Sequence, residues 1–201
     1  MSPIRFHSVR AVSWGLTGAL ALAAALPTGA RAQDKDTGDH EPLFHAGIAG
    51  GLSLPMSTTR QALGQGVQGQ AQVLLRLSTG FLLKLDASYQ RFDFKPALGS
   101  GGTSQTLGGM AGVQAYLSGG PVRPYFTGGL GVFQVRASQP GGSTDTSPAR
   151  LGIAGGGGFT LELGRISAFL EGDVQNIFTD HRPIDTRSIE SVPISFGVMI
   201  P

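Results

Sequence analysis

From Leu43 onward apolar residues recur at every second position, the period of a strand whose two faces meet different surroundings. In Ser191–Pro201 one parity carries Val192, Ile194, Phe196, Val198 and Ile200, and the other Pro193, Ser195, Gly197 and Met199. Val67–Leu77 places Val67, Ala71, Val73, Leu75 and Leu77 opposite Gln68, Gln70, Gln72, Leu74 and Arg76. Phe81–Gln90 sets Phe81, Leu83, Leu85, Ala87 and Tyr89 against Leu82, Lys84, Asp86, Ser88 and Gln90. In Ile166–Asn176, Ile166, Ala168, Leu170 and Val174 alternate with Ser167, Phe169, Glu171, Asp173 and Gln175. Leu107–Leu117 and Leu151–Leu163 alternate with glycine and small residues on the second face, and Phe44–Leu54 follows the same period. Tyr125–Ala137 is compatible with either parity; the reading adopted places Phe133 and Val135 outward and Gln134 and Arg136 inward.

These eight segments are each close to the roughly 9–11 residues with which a tilted strand crosses a bilayer. The connections alternate in length. Ser78-Thr79-Gly80, Ser118–Pro124 and Gly164-Arg165 are short and carry turn-forming Gly and Pro. Pro55–Gly66, Lys95–Thr106, Gln139–Arg150 and Thr179–Glu190 are longer and polar. In an up-and-down sheet this order gathers the short turns and both termini at one end and the long loops at the other, the asymmetry of outer-membrane barrels.

Closing such a sheet removes its edges and pairs every backbone polar group, so the parity that faces inward decides the environment. With the apolar parity inward the product is a soluble, lipocalin-like barrel; with it outward, Leu, Val, Ile and Phe meet lipid. Two observations favour lipid outside. The polar parity is rich in small residues, Gly47, Gly51, Gly108, Gly112, Gly152, Ala154, Gly156 and Gly158, which a narrow interior requires and a solvated face does not. Its charges also balance, with Arg76, Lys84 and Arg136 against Asp86, Glu162, Glu171 and Asp173. Arg76, Lys84, Asp86, Glu171 and Asp173 are accordingly expected to form a structural charge cluster in the lumen, since lone charges there are costly. Phe44, Phe81, Tyr89, Phe92, Tyr116, Tyr125, Phe159 and Phe178 near strand ends are candidates for interfacial aromatic girdles. The fold expected is an all-β, eight-stranded antiparallel up-and-down transmembrane β-barrel over residues 43–201.

The first 32 residues differ in kind. Arg5 and Arg10 precede the apolar run Ala11–Leu26, Pro27-Thr28-Gly29 breaks it, and Ala30-Arg31-Ala32 offers small residues for signal-peptide cleavage before Gln33. Residues 1–32 are read as a signal peptide and 33–42 as a disordered polar tail. No later stretch reaches the roughly 20 apolar residues of a spanning helix. This division also changes the meaning of the charge. The whole chain of 201 residues carries a formal +2, but Arg5, Arg10 and Arg31 fall in the signal segment, leaving 12 basic and 13 acidic groups beyond it. A nucleic-acid partner loses its support. The absence of cysteine excludes disulfides, thiol catalysis and cysteine-bound zinc.

Candidate chemistry is sparse. His45 sits on the polar parity of the first strand, where a hydrogen bond into the charge cluster accounts for it. His181 lies in the most charged loop with Asp180, Asp185 and Ser188, a composition that raises a lipid-modifying enzyme without fixing a triad. Gly155-Gly156-Gly157-Gly158 lacks the Lys-Ser/Thr of a phosphate loop and lies in mid-strand, so its expected purpose is to admit a large neighbouring side chain. Glu171 and Asp173 are two residues apart, and ion pairing with Arg76 and Lys84 is the simpler account than a cation site. No catalytic, cofactor-binding or metal-ligating residue is assigned, no cofactor is expected, and the chain is read as non-enzymatic.

The opening strand His45–Pro55, the strand Pro124–Phe133 after its Gly-Pro turn, and the closing strand through Phe196 resemble the small outer-membrane β-barrel superfamily that includes the OmpA transmembrane domain, OmpX and OmpW. The resemblance covers nearly the whole mature chain. It departs at the end, where Phe196-Gly-Val-Met-Ile-Pro201 replaces the terminal aromatic that the assembly machinery commonly recognises. It implies a Gram-negative outer-membrane location, a monomer in contact with outer-membrane lipid and with the barrel assembly machinery during biogenesis, and no nucleic-acid partner. The function expected is structural or surface-interacting, with a plugged lumen, four extracellular loops and no periplasmic domain after the eighth strand. The alternative is OmpW-like passive transport of small or hydrophobic compounds.

Overall fold

The computed structural model describes residues 43–95, 101–139, 144–179 and 188–201. The signal-peptide and tail assignments, and His181 with its acidic neighbours, lie outside the described residues. Nine strands occur among them: β1 (Phe44–Pro55), β2 (Leu63–Ser78), β3 (Phe81–Phe94), β4 (Thr103–Tyr116), β5 (Val122–Ser138), β6 (Thr144–Thr146), β7 (Arg150–Leu163), β8 (Ile166–Phe178) and β9 (Ser188–Ile200). A single helical turn, α1 (Thr59–Ala62), lies between β1 and β2.

Eight of the strands form a closed antiparallel barrel. The sheet runs β4-β3-β2-β1-β9-β8-β7-β5, and the β4–β5 pairing joins its ends. Strand β6 is an addition within the β5–β7 connection, folding back on Arg136–Ser138 alone. Closure leaves the eight-stranded wall without an open edge, the condition for backbone to cross hydrocarbon. The two-residue connection Gly164-Arg165 places its glycine at φ +79° in the first central position, a conformation that a residue with a Cβ rarely adopts.

The apolar parity faces outward. Ile48, Val67, Phe81, Val113, Phe126, Leu130, Leu151, Leu170, Val174, Phe196 and Ile200 are exposed on the outer wall, while Gln68, Gln72, Lys84, Gln90, Gln114, Glu171, Gln175 and Ser195 are buried inside. The barrel is thus inside-out relative to a water-soluble one, whose polar parity would meet solvent.

All eight segments read from the sequence are strands, and most extend further toward the long-loop end than their alternation did. Strand β2 begins at Leu63 and β4 at Thr103, and β5 reaches Ser138. Past the apolar belt the two faces no longer meet such different surroundings, so the period of two fades while backbone pairing continues.

The parity expected for the end of β5 is wrong. Phe133 and Val135 are buried in the lumen and Arg136 is exposed on the outer wall, with Gln134 beside it on the outward parity. Phe133, Val135, Ile177 and Ile189 form an apolar cluster that closes the lumen toward the long loops. The outer wall beside the ring is still apolar at Leu107, Val132 and Leu151, so the space inside, not a change of surroundings outside, buries Phe133. Glycine provides the room: a Cβ at Gly108, Gly131 or Gly152 would run into the Phe133 ring. Three of the girdle candidates are corrected likewise. Phe92 and Tyr125 are buried inside, and Tyr116 packs on the lumen cluster of Leu74, Leu82, Phe169 and Met199. Phe81, Tyr89, Phe159 and Phe178 are exposed on the outer wall.

Candidate functional site

The lumen is filled in layers that follow the inward residues of β8 along the axis. Ser167 borders an open bowl at the short-turn end. Phe169 belongs to the apolar layer with Leu74, Leu82 and Met199. Glu171 and Asp173 belong to a polar centre, Gln175 to an amide layer above it, and Ile177 to the apolar closure near the long loops. This order is a direct result of alternation, because every second residue of one strand points inward as the chain crosses.

At the centre, Lys84 Nζ lies 2.6 Å from both carboxylate oxygens of Glu171, and the two side chains are almost wholly buried. Tyr125 donates its hydroxyl to Glu171 Oε2 at 3.0 Å, and Gln70 Nε2 approaches Oε1 at 3.4 Å. Tyr125 reaches this position because Gly158 on the paired strand leaves space: a Cβ there would meet the Tyr125 ring. Within the Gly155–Gly158 run it is thus Gly158 that admits a large neighbouring side chain, while Gly156 faces Gly172 and Asp173 of β8. Around the ion pair, Gln68 Nε2 donates to Ser195 Oγ at 2.6 Å and Ser195 Oγ to Gln70 Oε1 at 3.4 Å. In the next layer Gln90 Nε2 donates to Gln175 Oε1 at 2.6 Å, and Ser53 Oγ to Gln90 Oε1 at 3.0 Å. Burying polar groups is tolerable only when they are paired, and these amides and hydroxyls pair across strands distant in sequence.

Of the five charges expected to cluster, the structure brings four to one place. Lys84, Asp86, Glu171 and Asp173 line a central cavity of about 20 Å³, together with Gln68, Gln70 and Gln90. Asp86 Oδ2 and Asp173 Oδ1 are buried without a hydrogen-bond partner among the described residues. Arg76 is elsewhere: it lines the bowl at the short-turn end, as does His45. The apolar layer separates these two from the charged centre. Glu162 also belongs to the bowl, where its carboxylate lies 2.8 Å from Arg123. Ser188, a nominal nucleophile, donates to Glu190 Oε1 at 3.3 Å at the start of β9.

Tyr125 is the member of the centre that sequence reasoning misplaced. Its signal was present: Gly129 and Gly131 share its parity in β5, and small residues mark the inward face in β4 and β7.

No family model and no curated protein sequence matches the chain. Solved structures do match. The Neisserial surface protein A superposes with a TM-score of 0.60 at 17% identity, covering 79% of this chain and 97% of that one. A major outer membrane protein from Thermus thermophilus superposes with a TM-score of 0.53 at 14% identity, over 78% and 97% of the two chains. With its apolar wall outside, its polar centre inside and its strands joined up-and-down, the chain has the fold of the small eight-stranded barrels of bacterial outer membranes.

Proposed function

We propose that this protein is a monomeric, non-enzymatic outer-membrane barrel with a plugged lumen, and that its role is structural or surface-interacting through the long loops. The observation that carries the reading is the stack of interior layers. Leu74, Leu82, Phe169 and Met199 fill the lumen on one side of the Lys84–Glu171 pair, and Phe133, Val135, Ile177 and Ile189 fill it on the other. A solute on the axis would have to displace two apolar layers and break a buried ion pair. The rigid barrel leaves the long-loop rim as the part free to vary in sequence and to meet other molecules.

Two measurements test this. Fractionation of cells expressing the chain is expected to place the mature protein in the outer membrane, carbonate-resistant and migrating faster unboiled than boiled on SDS gels. Purified protein in planar bilayers is expected to give no discrete conductance steps. Steady openings, or uptake of small hydrophobic compounds into liposomes, would replace this reading with passive transport.

A further inference from the structure

We propose that the polar centre of the lumen is a binding site for a single hard divalent cation, calcium, held between Asp86 and Asp173. Three carboxylates, Asp86, Glu171 and Asp173, line the central cavity with one cationic side chain, Lys84. Arg76, expected beside them from its parity, stands in the bowl beyond the layer of Leu74, Leu82, Phe169 and Met199. Lys84 is committed: its Nζ lies 2.6 Å from both oxygens of Glu171, whose carboxylate also accepts from Tyr125. Asp86 and Asp173 are left without an ion-pair partner among the described residues, in an interior closed by apolar side chains at both ends. Uncompensated charge in such surroundings is costly.

Both acids also carry an orphaned oxygen. Asp173 is only 9% exposed, yet its Oδ1 has no hydrogen-bond partner among the described residues, and neither has the buried Oδ2 of Asp86. They come from β8 and β3 and line one cavity of about 20 Å³, room for a single ion or water. The place of Asp173 is built into the wall, since it pairs with Gly156 of β7, where a Cβ would collide with Oδ1. Among the described residues no three acidic or histidine side chains converge as ligands, so other oxygens must complete the shell. The Ser88 hydroxyl and the amides of Gln68, Gln70 and Gln90 line the same cavity. Carboxylate, amide and hydroxyl oxygens are ligands for hard cations. A water would fill the gap but leave both charges, and one proton would neutralise one of them; one divalent cation balances both. Calcium accepts irregular oxygen cages, whereas magnesium keeps several waters of its own, for which the cavity has no space. With the lumen closed on both sides, the ion enters as the barrel forms. The site goes beyond the proposed surface role, which concerns the long loops.

The test refolds the full chain from urea into zwitterionic micelles with calcium chloride, with magnesium chloride or with a chelator, and passes each sample over a chelating resin. Elemental analysis is expected to find one calcium per chain in the first sample and no bound metal in the others. The calcium-refolded barrel is expected to unfold at a higher urea concentration than the metal-free one. D86N/D173N keeps Lys84 paired with Glu171 and is expected to fold, to retain roughly a tenth of the calcium or less, and to unfold at the same urea concentration with or without it. D173N alone is expected to lose retention likewise, and unboiled gel mobility reports the folding of both. Calcium that the resin strips from the native chain, that persists in whichever variant folds, or that leaves the urea midpoint unchanged would overturn the site. So would a metal-free barrel that gains the same stability on acidification to about pH 5, which would assign the centre to protons.

Discussion

Lys84 on β3 and Glu171 on β8 reach each other from opposite walls of the barrel, with three strands between them in either direction and Nζ 2.6 Å from both carboxylate oxygens. Both side chains are almost wholly buried, so each charge depends on the other for its compensation. Removing one partner of such a pair costs about 3–5 kcal/mol, whereas replacing both with apolar groups is close to neutral. K84M is therefore expected to lower the stability of the folded barrel by about that amount in urea titrations in lipid vesicles, and K84M combined with E171M to recover most of the loss.

Phe133 fits a recess made by glycines on three strands, Gly108, Gly131 and Gly152. F133A is expected to cost about 3–5 kcal/mol, the cavity it leaves being lined by residues that cannot collapse into it. G108A drives a methyl group into the ring and is expected to cost about 1–3 kcal/mol. The double variant should cost less than the two single changes added together, and strict additivity in the same urea assay would dissolve the proposed fit.

The outer wall is predicted to be sensitive to charge according to depth. Leu130 is 68% exposed near the middle of β5, and Gln134 stands on the same outward parity closer to the long loops. L130K is expected to destabilise the barrel in bilayers by about 2–4 kcal/mol and Q134K by about 0–1 kcal/mol. Equal effects would mean that the hydrocarbon belt does not lie where the exposed Leu, Val and Phe residues put it.

At the long-loop rim, the buried Thr59 of α1 accepts a hydrogen bond from the Glu190 amide at 3.1 Å, and Met56 N–H donates to Glu190 O at 2.9 Å. These contacts tie α1 to β9. T59V removes the acceptor and leaves the Glu190 N–H without it, an expected loss of about 1 kcal/mol. Hydrogen exchange at Glu190 should accelerate while exchange at Leu74 and Phe169, in the lumen floor, stays unchanged.

The eight crossing segments and most inward residues are legible in the sequence because a strand in a barrel wall reports its two environments at every second position. Lys84, Asp86, Glu171 and Asp173 could be placed in one lumen on that basis alone, and the inward glycines pointed to a narrow interior. Their pairing could not. Which acid meets Lys84 depends on the strand registers and on the β1–β9 closure, which bring β3 and β8 face to face and join residues 87 positions apart in the chain.

Arg76 shows the same limit along the axis: it shares parity with Gln72 and Leu74, yet falls beyond the Leu74, Leu82, Phe169 and Met199 layer and so belongs to the bowl. Phe133 and Tyr125 show it at the ends of the wall. A side chain's hydrophobicity predicts its face only while lipid lies outside and polar groups inside. Inside the wall a large ring is buried wherever glycines on neighbouring strands leave it space, as Gly108, Gly131 and Gly152 do for Phe133 and Gly158 for Tyr125. Alternation by itself determined the number of wall strands and the two ends, but not the balance of charge expected of the lumen: Arg76 and Glu162 lie in the bowl and Arg136 outside, which leaves Lys84 with Asp86, Glu171 and Asp173 at the centre. The closed barrel decided which residues meet, since position around and along its axis exists only once the first strand has paired with the last.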